Sequence, residues 1–144
     1  MIESDTIKLL RQCDAGVKMG IKSIDDVYDY VKNEEFKNAL IECKKQHLEL
    51  QNQIESLLHE YHDEGKNINP IAQAMSWMKT KMKLGINDSD ASIASLMTDG
   101  SNMGVKSLNK YLNEFEAAEE KVKDITKKLI NEEEKLTIKI RKFL

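Results

Sequence analysis

Six residues, Met19-Gly20-Ile21-Lys22-Ser23-Ile24, return 84 positions later as Met103-Gly104-Val105-Lys106-Ser107-Leu108. Gly16 returns as Gly100 at the same offset, so each copy carries a Gly-x-x-x-Gly pair. Both pairs lie inside long runs of helical periodicity, where a glycine is worth roughly 1 kcal/mol less than an alanine. Four such residues, Gly16, Gly20, Gly100 and Gly104, need an offsetting gain, and close approach of two backbones supplies one. A chain built as two similar halves packed about a pseudo-two-fold axis is the reading that follows.

The apolar seams give those halves their shape. Ile7, Leu10, Val17, Ile21, Ile24, Tyr28 and Val31 alternate steps of three and four, with Asp14 interrupting. They predict a first helix capped by Ser4 or Asp5 and running to about Lys32. A turn near Asn33-Glu34 reverses the chain, and Phe36, Leu40, Cys43, His47, Leu50, Ile54, Leu57 and Tyr61 form the seam of a second helix closed by Gly65. Asp88 or Ser89 caps a third helix through Ile93, Leu96, Met97, Val105, Leu108, Leu112 and Phe115. After a turn near Ala117-Ala118, a fourth takes Val122, Ile125, Leu129, Leu136, Ile140 and Phe143 inward. The second hairpin matches the first at an offset of about 86, which sets Cys43 against Leu129, Leu50 against Leu136 and His47 against Glu133.

The predicted fold is therefore all-α, one domain over residues 1–144. Hairpins at about 4–63 and 89–144 are joined by a crossover at about 64–88. Asn69-Pro70 is a helix start, and Ile71, Met75, Met78 and Met82 share one face of a short helix in that crossover. The methionine stripe, Trp77 and Lys79, Lys81 and Lys83 beside it suit contact with an anionic surface or a partner. The plainer expectation is that the methionines cover the flank of the bundle while the lysines face water.

Composition removes several function classes. With 22 bases, 25 acids and a net charge of −3, no overall field selects nucleic acid. No apolar run approaches the roughly 18 residues of a membrane span, and the N-terminus lacks a signal-peptide core. Cys13 and Cys43 belong to no Cys-x-x-Cys pair, and level counting puts them in opposite halves of their hairpin, too far apart to bridge. A cytoplasmic location is expected. No Ser-His-Asp or Cys-His arrangement and no Gly-rich strand-to-helix loop suggests catalysis.

Two helical hairpins linked by a long crossover, with the wording Cys13-Asp14-Ala15-Gly16-Val17-Lys18-Met19-Gly20 and the segment from Asn69-Pro70 to Trp77, resemble an uncharacterised bacterial branch of the ferritin-like superfamily, a domain of unknown function. The resemblance covers essentially the whole chain. It implies that the first and third helices are antiparallel neighbours, which would bring Gly16 and Gly20 against Gly100 and Gly104. It also implies a place for two irons, held by a Glu from each of two helices and a Glu-x-x-His from each of the others.

The sequence departs from that ligand set. The first helix has no Glu between Glu3 and Glu34, Lys44 stands three residues before His47, and the fourth helix has Glu132, Glu133 and Glu134 but no histidine. Level with His47, the first helix offers Gly20 or Ile21 and the third Gly104 or Val105. His47 and Glu133 are the two candidate ligands left, and a hydrogen-bonded buried pair is the plainer expectation for them. His59 and His62, at i and i+3 near Glu55, are expected on a solvated helix end rather than in a zinc site. Asp14 is expected toward the bundle edge, paired with Lys18. The expected function is a non-catalytic structural or protein-interaction module, self-associating or binding a protein partner, without a cofactor. The alternative is a metal-binding or redox protein holding iron or zinc at His47 and Glu133.

Overall fold

The structure, a computed structural model, describes residues 4–65 and 89–144. They form four long helices, α1 (Asp5–Tyr28), α2 (Glu34–Glu60), α3 (Asp90–Glu114) and α4 (Glu120–Ile140), closed by a 3-10 turn at Arg141–Phe143. No strand occurs among the described residues. The expected short helix from Pro70, with its methionines, Trp77 and lysines, lies outside them.

Local chemistry sets the ends. The side chains of Ser4, Asn33 and Ser89 accept the backbone N–H of Ile7, Phe36 and Ser92 at 3.3, 3.0 and 3.2 Å. Each offsets one of the unpaired donors of a helix start. Acids follow in every first turn, where the helix dipole favours them. α1 stops at Tyr28, short of the expected Lys32: Tyr30 and Val31 N–H turn to the carbonyls three residues back, Val27 and Tyr28, at 3.0 and 3.3 Å, and the donors after them leave the helix. The N–H groups of Lys32 and Asn33 go to the two carboxylate oxygens of Asp90 at 2.8 and 2.9 Å.

α2 also ends differently from expectation. His62, at φ 54°, occupies the left-handed position after the helix. His62 N–H donates to the His59 carbonyl and Asp63 N–H to that of Leu58, at 3.0 and 2.9 Å. This is the double-bonded C-terminal cap usually built on glycine. Gly65, at φ 84°, lies three residues farther on.

Two clasps fix how the hairpins meet. Asp90, the first residue of α3, holds the α1–α2 turn. Asp5, the first residue of α1, accepts Ala117 N–H at 3.1 Å and so holds the α3–α4 turn. Thr6 Oγ1 adds a bond from Glu119 N–H at 2.9 Å. α1 and α3 are therefore antiparallel. Phe36 stacks on Phe143 at 4.9 Å between centroids, and Lys121 approaches Glu60 at 3.8 Å, so α2 and α4 are antiparallel too. Tyr61 donates to Glu119 at 2.6 Å, at one end of the bundle. Ser89 precedes Asp90 at the other end.

The core falls into two clusters. One joins Leu9, Leu10, Cys13 and Val17 of α1 to Leu50 and Ile54 of α2, Leu108 of α3, and Val122 and Leu129 of α4, among others. The second joins Ile24 and Val27 to Phe36, Leu40 and Cys43, to Ile93, Ala94 and Met97, and to Leu136 and Ile140. Shifting α1 onto α3 by 84 and α2 onto α4 by 86 exchanges the two. Leu9, Cys13, Leu50 and Ile54 map to Ile93, Met97, Leu136 and Ile140, while Ile24, Phe36 and Cys43 map to Leu108, Val122 and Leu129. At roughly 1.5–3 kcal/mol per fully buried large aliphatic side chain, these clusters are the main source of stability. His47 and Glu133, which exchange under the same shift, lie between them.

Candidate functional site

His47 projects from the middle of α2 and is 0 % exposed. Its Nδ1 lies 2.9 Å from the Cys43 carbonyl oxygen, one turn back on its own helix, and its Nε2 lies 2.7 Å from Glu133 Oε1. A carbonyl oxygen only accepts, so Nδ1 carries a proton. The short contact to the carboxylate holds a second proton, which makes the pair an imidazolium with a carboxylate. Burial works against that charge, but Cys43 and Glu133 outweigh it and raise the His47 pKa from 6.5 to about 10. The Cys43 sulfur, 3.5 Å from Nδ1, completes the surroundings.

The glycines open the space for this pair. A Cβ on Gly20 would lie 2.6 Å from both Cδ2 and Nε2 of His47 and 3.2 Å from Glu133 Oε1. A Cβ on Gly104 would stand 3.9 Å from Cγ and Cδ of Glu133, an ordinary contact distance. At Gly16 the nearest atoms are Leu129 Cδ2 at 3.5 Å and Leu108 Cδ2 at 3.8 Å. The expected meeting of Gly16 and Gly20 with Gly100 and Gly104 is thus replaced by another packing. Gly20 faces the imidazole and carboxylate, Gly16 faces leucines, and Gly100 is half-buried on α3. The physical reason is that α1 packs on all three other helices, α4 included.

These residues do not fit the di-iron centre that the resemblance implies. At the level where α1 and α3 would each supply a carboxylate they have Gly20 and Gly104. Both nitrogens of His47 are committed, one to its own helix and one to Glu133. Lys44 points outward and pairs with Asp25 at 2.6 Å. Among the described residues no three His, Cys, Asp or Glu side chains converge as a metal site. What the arrangement does chemically is confine one proton and two opposite charges between two apolar layers.

The remaining candidates separate. Cys13 and Cys43 are both free and sit in different clusters. Burial pushes the Cys13 thiol up to about 12, and its sulfur lies 3.0 Å from Thr126 Oγ1. His59 and His62 are exposed, and the left-handed backbone at His62 removes it from the helix face of His59. Asp14 pairs with Lys18 at 2.8 Å as expected, but is 0 % exposed instead of lying at the edge. The chain around Gly65 folds against it, leaving only 2.4 Å between a Cβ there and Asp14 Oδ2. Beside it Arg11 forks onto both oxygens of Asp63 at 3.0 and 2.6 Å.

The clasps were missed from sequence although a signal exists, since Ser4-Asp5 recurs as Ser89-Asp90. Asp5 reads only as a candidate cap and Asp90 only as the residue after one, so neither hints at a second partner. Compared with family models, curated proteins and solved structures, the chain matches none.

Proposed function

We propose that this chain is a non-catalytic structural or protein-interaction module, a ferritin-like bundle whose centre holds an ion pair in place of a di-iron site. The order of two hairpins with antiparallel α1 and α3 supports the fold assignment. The observation that carries the function is the closed pair itself. The imidazole of His47 has an acceptor on each nitrogen, and Gly20 and Gly104 stand where carboxylate ligands would be needed. Two free, buried thiols suit a reducing compartment such as the cytoplasm. No described helix is long and apolar enough to cross a membrane.

Metal analysis of freshly purified protein tests this reading. Fewer than one tightly held iron or zinc per chain is expected, because two side chains cannot complete a closed site. Stoichiometric iron that is lost in His47→Ala while the fold persists would replace it with the metal-binding or redox reading.

A further inference from the structure

On the surface, acids and bases are sorted along two lines. Glu35, Glu42 and Glu49 follow one another at intervals of seven on α2, and Lys121, Lys128, Lys135 and Lys142 do the same along α4 and the closing turn. All seven are exposed. An interval of seven keeps a side chain near one line of a helix, so each set forms a stripe. The stripes flank the outer groove between α2 and α4. Near its closing-turn end that groove has a volume of about 550 Å³, with Glu35, Glu42 and Ala39 on one wall and Ile138, Lys139 and Lys142 on the other.

Within the chain the stripes are only partly used. Lys142 pairs with Glu35, and Lys121 approaches Glu60 at 3.8 Å. Lys135 turns to Glu132 of its own helix at 3.3 Å, and Glu42 takes a bond from Gln46. Among the described residues Glu49 and Lys128 make no ion pair. The two contacts at the ends also give the antiparallel register, which brings Glu42 level with residues 135–139 and Glu49 level with Lys128.

We propose that this groove docks a second copy of the chain about a two-fold axis parallel to the bundle. A two-fold interface must complement itself, and only one axis in the plane of this face allows it. An axis across the helices would set acid on acid and base on base. An axis along them sets each acidic stripe against the partner's lysine stripe at the same level, Glu42 opposite Lys135 and Glu49 opposite Lys128. Ile138, 56 % exposed, then meets the partner's α2 wall near Ala39. An acidic stripe beside the basic one makes a uniformly charged partner unfavourable. The inference rests on the surface and not on the interior pair, so a monomeric chain would overturn it while leaving the metal analysis to judge the function.

Sedimentation velocity on the full chain, from low to high micromolar concentration, is the test. A reversible dimer is expected, weakening as salt is raised. Ile138→Glu and Lys135→Glu should each weaken it about tenfold or more, since each places like charge at both symmetric positions. Glu42→Lys combined with Lys135→Glu should restore it. Circular dichroism melts of these exposed variants should stay close to wild type, which separates lost docking from lost folding. A chain that is monomeric throughout, a dimer indifferent to both single variants, or a double variant that fails to recover would overturn the assignment.

Discussion

Gly20 and Gly104 each close the Gly-x-x-x-Gly pair of their half of the chain, yet they do different work. Gly20 faces the side of the pair where the Cδ2–Nε2 edge of the imidazole comes within 2.6 Å of where its Cβ would stand, so a single methyl group would collide with it. Gly104 faces the flexible stem of Glu133 across an ordinary contact distance. The difference comes from what stands opposite. His47 and Glu133 hold corresponding positions, but a rigid ring needs clearance where a carboxylate stem can swing. A shared sequence pattern therefore marks a shared place in the fold without fixing how strictly glycine is needed there.

The strongest way to break this comparison is Gly20→Ala. The helix itself gains about 1 kcal/mol from the change, but displacing the ring disturbs a buried charge pair. We expect a net loss of about 2–3 kcal/mol by chemical denaturation. In a His47→Ser background most of that penalty should vanish, as a double-mutant cycle would reveal. An equal penalty in both backgrounds would show that Gly20 serves some contact other than the ring.

The pair also gives stability a pH dependence of known sign. Folding raises the His47 pKa from 6.5 to about 10. Its contribution is therefore complete below pH 6.5 and is lost as pH rises toward 10. Over that window one linked proton gives a slope of about 1.4 kcal/mol per pH unit. Wild type should lose stability between pH 7 and 9 relative to His47→Gln, measured by urea denaturation at each pH. Parallel curves would remove the charged pair from the account.

The smaller effects probe the permissive side. Gly104→Ala should stabilise by about 0.5–1 kcal/mol, the ordinary helix gain with no collision to oppose it. His62→Gly should add a gain of about 0.5–1 kcal/mol by relieving a left-handed backbone. Both are read as shifts of the thermal midpoint, and a loss at Gly104 would mean that the two halves are equally strict.

Much of this was legible in the residues. The seam Phe36, Leu40, Cys43, His47, Leu50 and Ile54 is buried as written, because steps of three and four hold one face over several turns. At the end of α2 burial passes from the expected Leu57 and Tyr61 to Leu58, as the drift between 3.5 and 3.6 residues per turn accumulates. The level of Gly20 and Gly104 with His47 and Glu133 was also readable by counting from the turns. Which neighbour the glycines face was not, since a Gly-x-x-x-Gly pair records only that something comes close. The clasps and the cap at His62 were hidden for a related reason. Each depends on a backbone donor meeting an acceptor that local propensity does not specify.

The central claim is that a doubly protonated imidazole, closed on both sides, fills the middle of the bundle. Nitrogen-15 NMR of the His47 ring at pH 8 tests it most directly. The account predicts that both ring nitrogens carry protons there and that the ring loses one only well above pH 9. A neutral ring at pH 8, titrating near the unperturbed 6.5, would contradict it.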